Sequence, residues 1–160
     1  MQIHYNVYSV LPPEPLLSSL LDLLTEVFAN QSREEWLVDL TGKATTCPGF
    51  LLLLALDSST VVGCKVGYQW QPDSIPVEGM FYSWLGGVSA MYRGKGIAGE
   101  LMRQQHEACR AKGYSTIRTH TYNQWREMLI LNLRHGFEIV GTQPGKRGLT
   151  IVMEKELVGW

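Results

Sequence analysis

Gly87-Val88-Ser89-Ala90-Met91-Tyr92-Arg93-Gly94-Lys95-Gly96-Ile97-Ala98-Gly99 is the stretch whose reading decides the fold. The apolar run before it, Met80 to Val88, has the length and composition of a β-strand. After it, Gly96 to Lys112 has helical character and is closed by Gly113. A strand, a glycine-rich turn and a helix start together present free backbone N–H groups to a phosphate. Two glycines let the backbone approach a ligand closely, because no Cβ intervenes. Arg93 and Lys95 add positive charge to the same turn. The stretch therefore predicts a diphosphate cradle.

Two known cradles can be separated from it. Gly94-x-Gly96-x-x-Gly99 matches the dinucleotide-binding pattern, which also wants an acidic residue near the end of the next strand. The next strand, about Ser115 to Thr121, holds Arg118 and His120 and no carboxylate. The Gly-Lys-Ser/Thr of a Walker loop occurs nowhere. Arg93-x-x-Gly96-x-Ala98 resembles the coenzyme A loop, Arg/Gln-x-x-Gly-x-Gly/Ala, of the GNAT N-acetyltransferase superfamily.

Outward from this point, the chain reads as one domain over residues 1–160. Ile3 to Val10 predicts a strand, ended by Pro12, Pro13 and Pro15. Leu16 to Ala29 carries leucines at helical spacing. Ser32 with Glu35 predicts a capping box for a second helix reaching about Thr41. Phe50 to Leu56 is a continuous apolar run, as expected of a strand covered on both faces. Asp57-Ser58-Ser59-Thr60 is a hairpin turn into Val61–Trp70. Beyond the cradle helix come a strand to Thr121, a helix from Gln124 to His135, and strands at Phe137–Thr142 and Leu149–Lys155. The last helix is predicted to bury Trp125, Met128, Leu129, Asn132 and Leu133.

The fold class is thus α/β, a central mixed β-sheet flanked by helices, in the order β-α-α-β-β-β-α-β-α-β-β. This is the element order of the GNAT fold, and the resemblance covers essentially the whole chain. A second family feature appears as Asn123 followed by His135-Gly136-Phe137.

The resemblance implies acetyl-CoA as cosubstrate and transfer of its acetyl group to a primary amine of a small molecule or peptide. It implies a pyrophosphate held by Arg93, Gly94, Lys95, Gly96, Ile97 and Ala98. It makes the Val88 N–H a candidate oxyanion donor and Asn123 a cofactor contact. Asn123 is equally well placed as a helix N-cap. A base and an acid are harder to find. Many relatives place Glu on the strand before the cradle, and Phe81 to Gly87 contains no carboxylate. Glu78, just before that strand, is a candidate base through water, against the default of a solvated loop residue. Where many relatives carry an acidic Tyr, this chain has Asn132, so Tyr122 is the candidate substitute. These departures keep open a non-catalytic acyl-CoA-binding module that senses or assembles. Many members dimerise, so a homodimer is the corresponding expectation.

Composition sets the remaining expectations. Residues 1–80 carry three Lys/Arg against nine carboxylates, net −6, and residues 81–160 carry eleven against six, net +5. The cradle half is basic, which suits an anionic cofactor. The basic residues form no aromatic-interleaved stripe, so nucleic acid is not expected. No apolar run reaches membrane-spanning length, and no basic segment precedes an apolar one at the start, so neither a membrane span nor a signal peptide is expected. Cys47, Cys64 and Cys109 are scattered and odd in number, which fits a reducing, cytoplasmic compartment and not a disulfide framework or a metal site. Tyr68, Trp70, Tyr82 and Trp84 lie on adjacent strands as either core or the wall of an acceptor pocket.

Overall fold

A computed structural model describes residues 2–157. Its elements are β1 (His4–Tyr8), α1 (Leu16–Val27), α2 (Arg33–Thr46), β2 (Leu51–Asp57), β3 (Thr60–Gln69) and β4 (Met80–Val88). They continue with α3 (Ile97–Ala111), β5 (Thr116–Tyr122), α4 (Arg126–Arg134), β6 (Glu138–Gly145) and β7 (Gly148–Glu156). The sequence-derived order holds throughout. The strands form one sheet in the order β1-β2-β3-β4-β5-β7-β6. All neighbours are antiparallel except β4 and β5, the pair joined through the cradle and α3.

Period-two alternation sends successive residues of β2 to opposite faces. Leu52 and Leu54 meet Leu20, Leu24 and Leu40 of α1 and α2. Leu51 and Leu53 meet Leu101 and Met102 of α3. The run is apolar at every position because both faces are covered. Leu52, Leu53 and Leu54 are fully buried, so truncating one to Ala would cost about 2–5 kcal/mol.

Local chemistry shapes the ends. The Ser32–Glu35 capping box is formed: Ser32 Oγ accepts from the Glu35 N–H, and Glu35 Oε1 accepts from the Ser32 N–H. Helix α2 runs past Thr41 to Thr46, and the Thr45 and Thr46 hydroxyls fold back onto the carbonyls of Thr41 and Gly42 at 2.8 and 2.6 Å. The β6–β7 turn is only Lys146-Arg147; neither of these has positive φ, and Gly148 at φ +100° supplies the left-handed residue after them. Pro144 falls inside β6, which is permitted because β6 is an edge strand.

Helix α4 departs from expectation. It starts at Arg126 with Trp125 at the N-cap and no side-chain cap. Asn123 is exposed and caps nothing. Asn132 is buried, whereas Leu133 is 47% exposed. The helix is short and offers the sheet a narrow contact, so its predicted apolar stripe is only partly used.

Candidate active site

The site begins with a divergence of strands. β4 and β5 pair only from Met80–Thr116 to Ser83–Thr119. Beyond that point β4 follows β3 to Val88 while β5 follows β7 to Tyr122. The Thr119 hydroxyl donates to the Ser83 carbonyl at 3.0 Å and closes the apex of the opening. In the β3–β4 register Ser83 faces Gly67 and Leu85 faces Val66, leaving Trp84 as the extra residue of a bulge. Trp84 and Leu85 consequently both pack toward α1 and α2. A cleft of about 1610 Å³ occupies the opening.

The β4 backbone lines one side of this cleft. The Ser89 N–H donates to the Val62 carbonyl at 2.8 Å. Antiparallel strands alternate the direction of their polar groups, so the N–H groups of Val88 and Gly86 face away from β3, into the opening. The cradle follows. Gly94 and Gly96 have φ of +75° and +81°, and a Cβ at either would meet no protein atom within 4 Å. Gly96 in its left-handed conformation is the N-cap of α3, and no side chain caps that helix start. The unpaired N–H groups of the first turn therefore face open space beside a positive helix end. Arg93 is fixed by its Nε–H, which donates to the Val88 carbonyl at 3.2 Å. Such a concave set of amides, next to an arginine, fits a diphosphate.

Of the residues predicted from sequence, Val88, Arg93, Gly94, Gly96, Ile97, Ala98 and Tyr122 line the cleft. Lys95 is exposed and does not. Asn123 does not either, while its neighbour Gln124 does. Glu78 is exposed and lies two residues before β4 begins, at the end of that strand opposite the opening. That position removes it from the cleft chemistry. The Tyr122 ring packs edge-on against Trp125, with centroids 4.8 Å apart.

The α1/α2 side of the cleft is aromatic. Trp84 stands 6.3 Å from both Trp36 and Tyr68, and Tyr82 stands 5.7 Å from Tyr68 and 4.7 Å from Trp70. Trp36, Tyr82 and Trp84 line the cleft, while Tyr68 is buried behind them, so the cluster is core and wall at once. The buried Trp36 Nε1–H has no partner among the described residues.

Residues of this wall that sequence reasoning passed over carry titratable chemistry. Arg118 Nε–H donates to His120 Nε2 at 3.2 Å. A neutral imidazole then bears its proton on Nδ1, 3.3 Å from the Tyr82 hydroxyl oxygen. Burial, assisted by the Arg118 charge, lowers the His120 pKa, so the ring is neutral at physiological pH. Burial pushes the Tyr82 phenol up to about 12. Asp39, one helical turn from Trp36 on α2, and Glu127 on α4 are carboxylates at the cleft lining. The sequence signals were faint: an alternating polar strand for His120, and i,i+3 spacing to Trp36 for Asp39. No group of residues able to hold a metal ion occurs among the described residues. Among them, too, no helix is long and apolar enough to cross a membrane.

Comparison with known proteins agrees with this geometry. The model of the acetyltransferase (GNAT) family matches residues 17–137, and the chain belongs to that family. A search of curated proteins finds no match. Among solved structures, the fold is similar to aminoglycoside 6'-acetyltransferase type Ii (TM-score 0.76, 20% identity, 100% of this chain and 99% of that one). It is similar to a GNAT family acetyltransferase from Elizabethkingia anophelis with acetyl-CoA bound (TM-score 0.73, 20% identity, 96% and 97% covered). It is also similar to the ribosomal-protein-S18-alanine N-acetyltransferase from Escherichia coli (TM-score 0.74, 12% identity, 98% and 96% covered).

Proposed function

We propose that this protein transfers the acetyl group of acetyl-CoA to a primary amine of a small molecule or peptide. The observation that carries the proposal is the cleft between β4 and β5, which ends in an uncapped helix start with two left-handed glycines and Arg93. That concave set of donors suits the diphosphate of coenzyme A, and the acetyl-CoA reported in the Elizabethkingia relative supports the assignment. Bound acetyl-CoA supplies an activated acyl group. The chain supplies the rest. Arg93 and the amides from Gly94 to Ala98 anchor the phosphates. The N–H groups of Gly86 and Val88, turned into the opening, are placed to stabilise a developing oxyanion.

The amine enters from the α1/α2 side, against Trp36, Tyr82 and Trp84. An alkylammonium of pKa about 10.4 must lose a proton before attack. The Tyr82 hydroxyl oxygen, which accepts from the His120 Nδ1–H, is the group on this wall best suited to accept an amine N–H and aim the nitrogen lone pair at the acyl carbon, while the proton leaves to solvent. Lys95, Asn123 and Tyr122 are assigned lesser parts, in charge and in packing around the cofactor. The buried, unpaired cysteines support a reducing, cytoplasmic compartment.

A second reading, an acyl-CoA-binding module without turnover, is favoured by the absence of a carboxylate on β4. Release of free thiol from acetyl-CoA across a panel of amines separates the two. Amine-dependent release is expected. Tight coenzyme A binding with no release under any amine would favour the module.

A further inference from the structure

Lys65 lies on β3, on the face that α3 covers, and its side chain lines the cleft at only 7% exposure. Its partner across the ladder is Gly86. A Cβ at Gly86 would stand 3.4 Å from Lys65 Nζ, so the missing side chain leaves the amine room against the β4 backbone. Gly63 and Gly67 flank Lys65 on the same face of β3, where Ile97 and Phe81 fill the space beside them. A long cationic side chain is thereby laid across glycine backbone to the one stretch of β4 whose N–H groups face the opening.

Among the described residues no carboxylate pairs with Lys65. The titratable groups that face it are basic: His106 of α3, His135 at the C-cap of α4 and, through them, Lys155 of β7. Cys64, its neighbour on β3, is turned to the other face, and burial raises its thiol to about 12, so it offers no negative charge. Burial lowers the Lys65 pKa to about 8. A buried cation without a partner is costly. An anion delivered beside it would be held strongly in that setting.

Geometry limits which anion. The cradle fixes the phosphates at one end of the cleft, and the Ser83–Thr119 contact closes the other. The thiol end of a coenzyme A arm anchored at the cradle lies between Val88 and that apex, the span in which Gly86 and Lys65 stand. The acceptor wall of Trp36, Tyr82 and Trp84 is on the opposite face of the sheet, so Lys65 is not placed to deprotonate the amine.

We infer that the Lys65 ammonium is the electrostatic partner of the coenzyme A thiolate that departs during acetyl transfer. The inference rests on the acetyltransferase reading above. In the balanced step the amine nitrogen bonds to the acyl carbon, and the carbon–sulfur bond breaks with its electron pair on sulfur. The thiolate pairs with Lys65, the nitrogen proton leaves to solvent, and the thiol is protonated on release. This answers the absent acid: a cation that holds the thiolate removes the need for a proton donor at position 132.

The test titrates the thiol of bound coenzyme A by its thiolate absorbance, in wild type, Lys65→Arg and Lys65→Met. Free coenzyme A is the reference, with a thiol pKa of about 8.5. On wild type and Lys65→Arg the bound thiol should ionise at least one pH unit lower than in the free cofactor. On Lys65→Met it should ionise at or above the free value. With an alkylamine acceptor, wild-type kcat/KM should stop rising with pH past about 8, because loss of the Lys65 charge offsets the growing free-amine fraction, and Lys65→Arg, which stays charged, should keep rising. An unshifted thiol in a wild-type protein that binds coenzyme A overturns the inference alone. So does an acetyl group found on Lys65 by mass spectrometry after incubation with acetyl-CoA, which would make it an acceptor. Failure of wild type to bind coenzyme A overturns the parent reading and this one with it. The wild-type titration decides the matter even if Lys65→Met does not fold.

Discussion

Glu26, on the last turn of α1, accepts from the Ser89 hydroxyl at 3.0 Å and from the Ala90 N–H at 2.9 Å. One carboxylate thus ties the first helix to the turn that leads from β4 into the cradle. Charge-assisted bonds to backbone N–H groups are the stronger kind. The Glu26 side chain is exposed, so its effect should appear in the position of the cradle more than in global stability. Glu26→Ala should weaken coenzyme A binding about tenfold, roughly 1.4 kcal/mol, with little change in Tm. Glu26→Gln keeps an oxygen for the Ala90 N–H and should lose less. Calorimetry on both variants, with Tm measured in parallel, checks the ordering.

Gly96→Glu should abolish coenzyme A binding while the fold survives. Position 96 sits at φ +81° as the N-cap of α3, and a side chain there meets no protein atom within 4 Å. The new carboxylate would enter the space meant for phosphate and take the helix end for itself. The left-handed backbone adds about 1–2 kcal/mol of strain for any non-glycine residue. Gly96→Ala isolates that strain and should retain measurable binding. Wild-type affinity in a folded Gly96→Glu protein would place the cradle elsewhere.

The cradle was legible because its chemistry is contiguous. Strand, glycines, arginine and helix start follow one another, and local sequence dictates each. The element order was legible for the same reason, since hydrophobic period and turn residues act over short range. The site's other residues come from separate strands and helices. Lys65 and Gly86 are brought together by the β3–β4 register, and the bulge at Trp84 that sets it leaves no mark in composition. His120 and Tyr82 meet only because β4 and β5 pair in parallel from Met80 to Ser83. Glu78 failed as a candidate for a geometric reason. Its closeness in sequence to β4 places it at the wrong end of a nine-residue strand. Asn123 followed a motif spacing, but α4 begins after it at Arg126.

Stability should fall as the medium becomes acidic, and His106 should carry much of the effect. Its ring is 2% exposed, and its Nδ1 lies 3.0 Å from Lys155 Nζ. Burial, with Lys155 and Lys65 close by, pushes its pKa far below the ordinary value. The native state keeps this histidine neutral, while the unfolded chain protonates it near pH 6.5. Below that pH the unfolded state binds more protons, so stability is full above about 6.5 and is lost as pH falls. The slope for one such group is about 1.4 kcal/mol per pH unit. His120 and His135 are lowered as well and add in the same direction. Urea unfolding at pH 7 and pH 5 should show the loss. His106→Gln should be less stable at pH 7 and flatter between the two. An equal slope in the variant would assign the acid sensitivity to other groups.

The last prediction concerns the proton that the acceptor must lose. Arg118, His120 and Tyr82 form a chain, with Nε–H to Nε2 at 3.2 Å and Nδ1 to the phenol oxygen at 3.3 Å. Tyr82 borders the acceptor side of the cleft, and its phenol stays protonated well past neutrality. With Nε2 accepting from Arg118, neutral His120 carries its proton on Nδ1 and donates it to the Tyr82 oxygen, so the ring cannot take a proton through Tyr82. The pair positions the amine, and the proton goes to solvent. The free fraction of an alkylamine rises tenfold per pH unit, so the acid limb of kcat/KM should have a slope of one in wild type. His120→Gln keeps an N–H donor for Tyr82 and should keep that slope with a loss of less than about tenfold. Tyr82→Phe should cut the rate by about tenfold at every pH, because it removes the oxygen that accepts the amine N–H. Glu78→Gln should cost less than tenfold and leave the profile unchanged, since the side chain is exposed outside the cleft. The measurement is kcat/KM from pH 5.5 to 9.5, a range of about four units around neutrality, on the best acceptor found. A slope of two at the acid end in wild type that falls to one in His120→Gln would make His120 a base and overturn this reading; a slope of one in both makes binding and proximity the main source of catalysis.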